Sequence, residues 1–121
     1  MTDIELWELR NRLGEPGLVL LDVRRLEEYT GAVTAPCDPR PGRIPGARHV
    51  DVALLFEAPG ADAVRALVGA EPGSEVIAYC HSGSRSAMAV HVLRAAGYEA
   101  RNYVGSWHEW SRDPDLPSES G

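Results

Sequence analysis

The sequence predicts one α/β domain built on a mainly parallel sheet. Short apolar runs alternate with helix-patterned segments along the chain, the order that lays helices over both faces of such a sheet. A length of 121 residues suits one domain with a real core and is short for two. Apolar residues make up 44% and charged residues 25%, as in ordinary globular chains.

Thr2 to Glu5 has the form of a capping box, in which the Thr2 hydroxyl and the Glu5 carboxylate satisfy free N–H groups at a helix start. The helix runs to about Leu13, with Leu6, Leu9 and Leu13 on one face, until Gly14 and Pro16 stop it. Residues 18–23 read as a buried strand interrupted only by Asp22, and residues 26–29 as one helical turn. Residues 30–46 hold Pro36, Pro39, Pro41, Pro45 and three glycines, a long irregular loop of the kind that is either functional or disordered. A short strand is expected at 47–50, then helical pieces at 51–56 and 61–68 broken by Pro59-Gly60. Pro72-Gly73 turns into a strand at 76–79, and a helix follows at 84–96 with Gly97 as its natural C′ residue. Residues 99–104 predict another strand and 107–112 a short closing helix. The domain is placed at residues 1–113, with 114–121, rich in Pro and Ser, as a flexible tail.

The chemistry concentrates at Val76-Ile-Ala-Tyr-Cys-His-Ser-Gly-Ser-Arg-Ser86, where a buried strand ends in Cys80 and a polar loop opens a helix. A thiol there faces free backbone N–H groups and the positive end of the helix dipole, which favour thiolate. Arg85 adds a fixed charge and a planar fork suited to an oxyanion. The alternative, a buried structural cysteine, fits poorly beside Gly83, Arg85 and so many polar neighbours. Asp22 also falls at the carboxyl end of its strand, where sites form in parallel sheets.

Twelve basic against eighteen acidic side chains give a net charge of −6, which argues against a nucleic-acid binder. An anionic substrate must then be drawn in by local groups. Cys37 and Cys80 are too few for a disulfide framework. No leader or membrane-length apolar run is seen, so a cytoplasmic location is expected, where the thiol stays reduced. His49, His91 and His108 lack metal-ligand spacing, and neither a metal nor a cofactor is expected.

Four motifs in order resemble the rhodanese (sulfurtransferase) superfamily: Leu20-Leu-Asp-Val-Arg-Arg-Leu-Glu-Glu-Tyr29, Gly42-Arg-Ile-Pro-Gly-Ala47, the Cys80 loop, and Asn102-Tyr-Val-Gly-Ser-Trp-His-Glu-Trp110. The last motif and the insertion before Gly42 are most similar to the C-terminal catalytic half of two-domain thiosulfate and mercaptopyruvate sulfurtransferases. The resemblance implies a three-layer fold. It also implies transfer of a sulfane sulfur from a small anionic donor, thiosulfate or 3-mercaptopyruvate, to a thiol or cyanide acceptor or a sulfur-accepting protein. Four residues separate Cys80 from Arg85; related phosphatases and arsenate reductases carry five, so the resemblance favours sulfur transfer. The inactive partner half of the two-domain enzymes and the family's short first strand are not evident. That keeps a second function open, a protein-partnered sulfur relay or regulatory module.

By the same resemblance Cys80 is the nucleophile and becomes a persulfide, its charge held by backbone N–H groups of residues 81–85, with Gly83 permitting the close approach. Arg85 is expected to grip the donor, to pair with a strand-end carboxylate, or both. Asp22 is read as structural, bonded to backbone or Arg, because a carboxylate beside Cys80 would raise the thiol pKa. Arg24 either lines the mouth or sits on the surface. His81 is assigned to the pocket rim over a general-base role. Ser82, Ser84 and Ser86 belong to the substrate loop, binding substrate or stabilising the loop itself. Trp107 is expected to pack beneath the loop and Trp110 in the core. Cys37 is a candidate to resolve the persulfide as a disulfide with Cys80.

Overall fold

A computed structural model describes residues 3–121. The elements run α1 (Leu6–Arg12), β1 (Leu18–Asp22), α2 (Leu26–Thr30), β2 (Arg48–His49), α3 (Val52–Glu57), α4 (Ala61–Val68), β3 (Glu75–Tyr79), α5 (Ser84–Ala95), β4 (Glu99–Asn102) and α6 (Ser106–Trp110). Every predicted strand and helix forms. The capping box lies partly outside the described residues, at Thr2. Within them α1 starts later than expected, with Glu5 extended at its N-cap position. The cause is sheet pairing: Ile4 donates its N–H to the Asn102 carbonyl (3.0 Å) and bridges Tyr103 in parallel. Ile4 thus pairs where no strand was expected, while Tyr103 lies within the strand predicted at 99–104.

The sheet order is β2-β1-β3-β4, and every pairing is parallel. Alternation along each strand sends side chains to opposite faces. Val19 and Leu21 of β1, with Val76 and Ala78 of β3, join Leu55, Val64, Val90 and Leu93 from α3, α4 and α5. Leu20, Ile77 and Tyr79 join Leu9 of α1 and Trp107 and Trp110 of α6 on the other face. Both faces are therefore covered, which explains why β1 and β3 read as continuous apolar runs. Fully burying one Val or Leu side chain is worth about 1.5–3 kcal/mol, so these two layers supply most of the favourable term.

Chain order reverses across the sheet between β1 and β3: β1 is followed by β2 on one side, and β3 leads to β4 on the other. The crevice beyond the carboxyl ends at such a reversal is where open parallel sheets hold ligands. Asp22 pairs with Tyr79 at that edge, so Cys80 emerges over the switch point.

The last eight residues, expected as a flexible tail, fold back in this structure. Leu116 is buried, and the indole N–H of buried Trp110 donates to the Pro117 carbonyl at 2.8 Å. Arg43 and Glu119 then form an antiparallel bridge. An apolar anchor and a buried donor in need of an acceptor outweigh the polar composition.

Candidate active site

The sequence turns sharply after β3 because Gly83 adopts φ +96°, and a Cβ there would lie 2.6 Å from the Val104 carbonyl oxygen. That turn folds the loop back over Cys80. The Gly83 N–H donates to Cys80 Sγ at 3.1 Å, and the Ser86 hydroxyl approaches it at 3.4 Å. Burial alone would raise the thiol pKa, but the Ser86 hydroxyl and the N–H groups of Ser86, Gly83 and Ser82 outweigh it, and the pKa is lowered. The groups nearest the sulfur are thus the Gly83 N–H and the Ser86 hydroxyl, the latter outside the 81–85 run of N–H groups that was expected. Cys80 is 1% exposed. Its own N–H donates to the Ser106 hydroxyl at 3.1 Å, which in turn donates to the Tyr103 carbonyl at 2.9 Å. Ser106 takes a positive φ of 54° to make this link, a contact that no spacing in the sequence signals.

Arg85 is paired. Its guanidinium makes two hydrogen bonds to the Glu28 carboxylate, at 2.9 and 3.2 Å. The pairing partner comes from α2 and not from a strand end. Desolvation raises the Glu28 pKa, but Arg85 and the Arg25 N–H more than offset it, so Glu28 is held below the usual carboxylate range. Ser84 opens α5 beside Arg85.

Asp22 accepts from the Arg24 backbone N–H (3.0 Å) and the Arg24 guanidinium (2.7 Å), as the structural reading required. Arg24 does not sit on the surface: it is 3% exposed, capped by the Gly42 carbonyl at 2.7 Å and stacked 5.4 Å from the Trp107 ring. Charge neutralisation by Asp22 and the aromatic faces make that burial tolerable. Trp107 donates its backbone N–H to the Cys80 carbonyl at 3.0 Å, which places it under the loop, and Trp110 is fully buried.

His81 reaches the long loop. Its Nε2 lies 3.0 Å from the Asp38 carboxylate and 3.7 Å from Cys37 Sγ, at the rim. His108 reaches the same carboxylate at 3.6 Å. The long loop thus carries Cys37 to His81, and both cysteines are free thiols. Glu28, Asp38, Ser106 and the grouping with His108 escaped the sequence reading, because they come from segments far apart in the chain. Glu28, Ser106 and His108 lie inside quoted motifs, and Asp38 lies outside them.

The cradle makes a pH prediction. In a Cys37→Ser background, alkylation of Cys80 should rise with pH around a midpoint below that of a free thiol, about 8.5. Ser86→Ala should move the midpoint upward. The sign for stability is the same: a folded pKa below the unfolded one gives stability that grows as pH rises past the folded value and is lost as pH falls through it. Alkylation with a midpoint at or above the free-thiol value would contradict the cradle.

Fold and loop together define a parallel α/β domain presenting one thiol in an N–H-lined turn. The chain matches the Rhodanese-like domain family over residues 6–113, and it belongs to that family. A Pseudomonas aeruginosa protein named "Probable 3-mercaptopyruvate sulfurtransferase" is 36% identical over 98% of this chain and 44% of its own length. A "Thiosulfate sulfurtransferase" from the same organism is 34% identical over 92% of this chain and 43% of its own. The chain thus spans less than half the length of these relatives. The crystal structure of a "Probable Thiosulfate Sulfurtransferase" superposes with a TM-score of 0.82 at 44% identity, over 97% of this chain and 47% of the other. A structure of an EanB variant with ergothioneine covalently linked to a persulfide superposes at 0.83 with 27% identity, over 98% of this chain and 32% of the other.

Proposed function

We propose that this domain is a sulfurtransferase that moves a sulfane sulfur from thiosulfate or 3-mercaptopyruvate to a thiol or cyanide through a persulfide on Cys80. The observation that supports it most is the cradle: the Gly83 N–H donates to Cys80 Sγ at 3.1 Å and the Ser86 hydroxyl approaches it at 3.4 Å, while the neighbouring imidazole lies against Asp38. Such a cradle stabilises a sulfur anion and needs no base at the thiol.

In the first half-reaction the Cys80 thiolate attacks the outer sulfur of thiosulfate. The S–S bond of the donor breaks and sulfite leaves with the electron pair. With mercaptopyruvate the C–S bond breaks instead, and pyruvate takes a proton at carbon. The acceptor thiolate or cyanide then attacks the outer sulfur of the persulfide, and Cys80 departs as thiolate. Two covalent half-reactions imply ping-pong kinetics. Ser82, Gly83 and Ser86 hold the sulfur charge, and Ser84, Arg85 and His81 form the donor's surroundings. Asp22, Arg24 and Trp107 support the loop from below.

The pairing of Arg85 with Glu28 favours a second reading. With its charge matched by a carboxylate, Arg85 offers a dianion less attraction than a free guanidinium, and Cys80 is 1% exposed. A partner protein that displaces Glu28 would then deliver or collect the sulfur.

Intact-mass spectrometry separates these readings after incubation of wild type and Cys80→Ser with each donor in turn. The expected result is a gain of one sulfur atom on wild type alone, with the productive donor identified. A gain on both proteins refutes Cys80 as the carrier. No gain with either donor refutes the small-donor reading and leaves the relay.

A further inference from the structure

We propose that Cys37, Asp38, His81 and His108 form a binding site for a divalent cation of the zinc class, at the rim of the Cys80 loop. One ligand atom from each of the four residues lies within 4.8 Å of all the others. Two imidazoles, a thiolate and a carboxylate are the donor types that such an ion takes in four-coordinate sites.

The spacing is somewhat wider than a closed tetrahedral shell, with all four donor atoms within 4.8 Å of one another. Metal–nitrogen and metal–oxygen bonds of about 2.0–2.1 Å place two such donors about 3.3 Å apart, and a bond of about 2.3 Å to sulfur places S and N about 3.6 Å apart. Asp38 Oδ1 stands 3.1 Å from His81 Nε2, 3.6 Å from His108 Nδ1 and 3.9 Å from Cys37 Sγ, and Cys37 Sγ stands 3.7 Å from His81 Nε2. Small side-chain adjustments close the shell.

Charge points the same way. The Asp38 side chain is 2% exposed, and a carboxylate that deeply buried calls for a positive partner. Arg112 passes nearby, donating to the Cys37 carbonyl at 2.6 Å and standing 3.5 Å from His108 Nδ1. Thiolate and carboxylate together carry two negative charges, which balance a divalent ion even beside that guanidinium. The two imidazoles are already oriented, because the His108 backbone N–H donates to the His81 carbonyl at 2.9 Å and the rings meet edge to face. On binding, the Cys37 thiol releases its proton to solvent.

The site joins three segments distant in sequence: the long loop, the turn after β3 and α6. An ion there pins the loop to the residue next to Cys80. The inference does not rest on the persulfide chemistry, since Cys80 is not a ligand, although His81 would border both sites.

Cobalt(II) titrated into the metal-free Cys80→Ser protein tests it, because Cys37 is then the one thiol left. The expected result is one ion per chain with an intense tetrahedral visible spectrum and a thiolate-to-cobalt charge-transfer band. Zinc should displace the cobalt and protect Cys37 from alkylation. Cys37→Ser combined with Cys80→Ser should abolish the charge-transfer band, and His108→Ala should weaken binding about tenfold or more. No binding, an octahedral spectrum, or affinity unchanged in the His108→Ala protein would overturn the proposal.

Discussion

Replacing Gly83 by alanine should disable the Cys80 loop and lower stability together. At φ +96° a side chain strains the backbone, by about 1–2 kcal/mol for a left-handed residue. The added Cβ would also sit 2.6 Å from the Val104 carbonyl oxygen and 3.2 Å from Val104 Cα, which are backbone atoms with no rotamer to change. Overpacking of that kind costs about 1–3 kcal/mol more. The Gly83 carbonyl is held as well, accepting from Ser86 Oγ and Asn102 Nδ2 at 3.2 Å each, so the turn cannot move off alone. A Tm about 10 °C lower or more is expected. The Cys80 alkylation midpoint should rise as the Gly83 N–H is withdrawn. Gly17→Ala is the control: its φ is +82° but nothing lies within 4 Å of the added carbon, so it carries the strain without the clash. Equal losses in the two variants would show that the Val104 contact is unimportant.

The contrast between those glycines shows what a sequence can and cannot display. The loop motif pointed to Gly83 as a place of close backbone approach, while its positive φ shows only in the fold. Local rules found β1 and β3, since two-sided burial writes itself as nearly continuous apolar runs. The start of α1 was misread because Thr2 to Glu5 satisfies a local capping pattern, while Ile4 is claimed by a pairing with Tyr103 almost a hundred residues away. The tail hides its contacts for a similar reason: its composition is polar, but Leu116 and Glu119 have partners elsewhere in the fold. Among site residues, Cys80 and its N–H donors were legible as neighbours in the chain. Glu28 opposite Arg85, Ser106 under Cys80 and Asp38 between two histidines were not, because each contact depends on loop paths that no period or spacing encodes.

Removing Asp22 should be the most destabilising change below the site. Asp22 is fully buried and Arg24 nearly so, and the pair was tolerated there only because each group answers the other. Tyr79 shares the network: burial first, and Asp22 second, push its pKa well above the ordinary phenol value, so it stays a neutral hydroxyl. Asp22→Ala leaves a guanidinium without its carboxylate in a dry setting, and breaking one side of such a pair costs about 3–5 kcal/mol. Urea unfolding should show that loss in the midpoint. Arg24→Met leaves the carboxylate with the Arg24 backbone N–H still donating at 3.0 Å, so it should cost less. The double variant Asp22→Asn with Arg24→Met removes both charges and should recover part of the loss, since apolar replacement of a buried pair is often neutral or better. Recovery of stability need not restore the site. Arg24 also caps the Gly42 carbonyl at 2.7 Å and so ties the long loop to the carboxyl edge of β1. If the pair exists to position that loop, the double variant will fold well yet load sulfur on Cys80 poorly. If it folds well and loads as wild type does, the pair is structural alone.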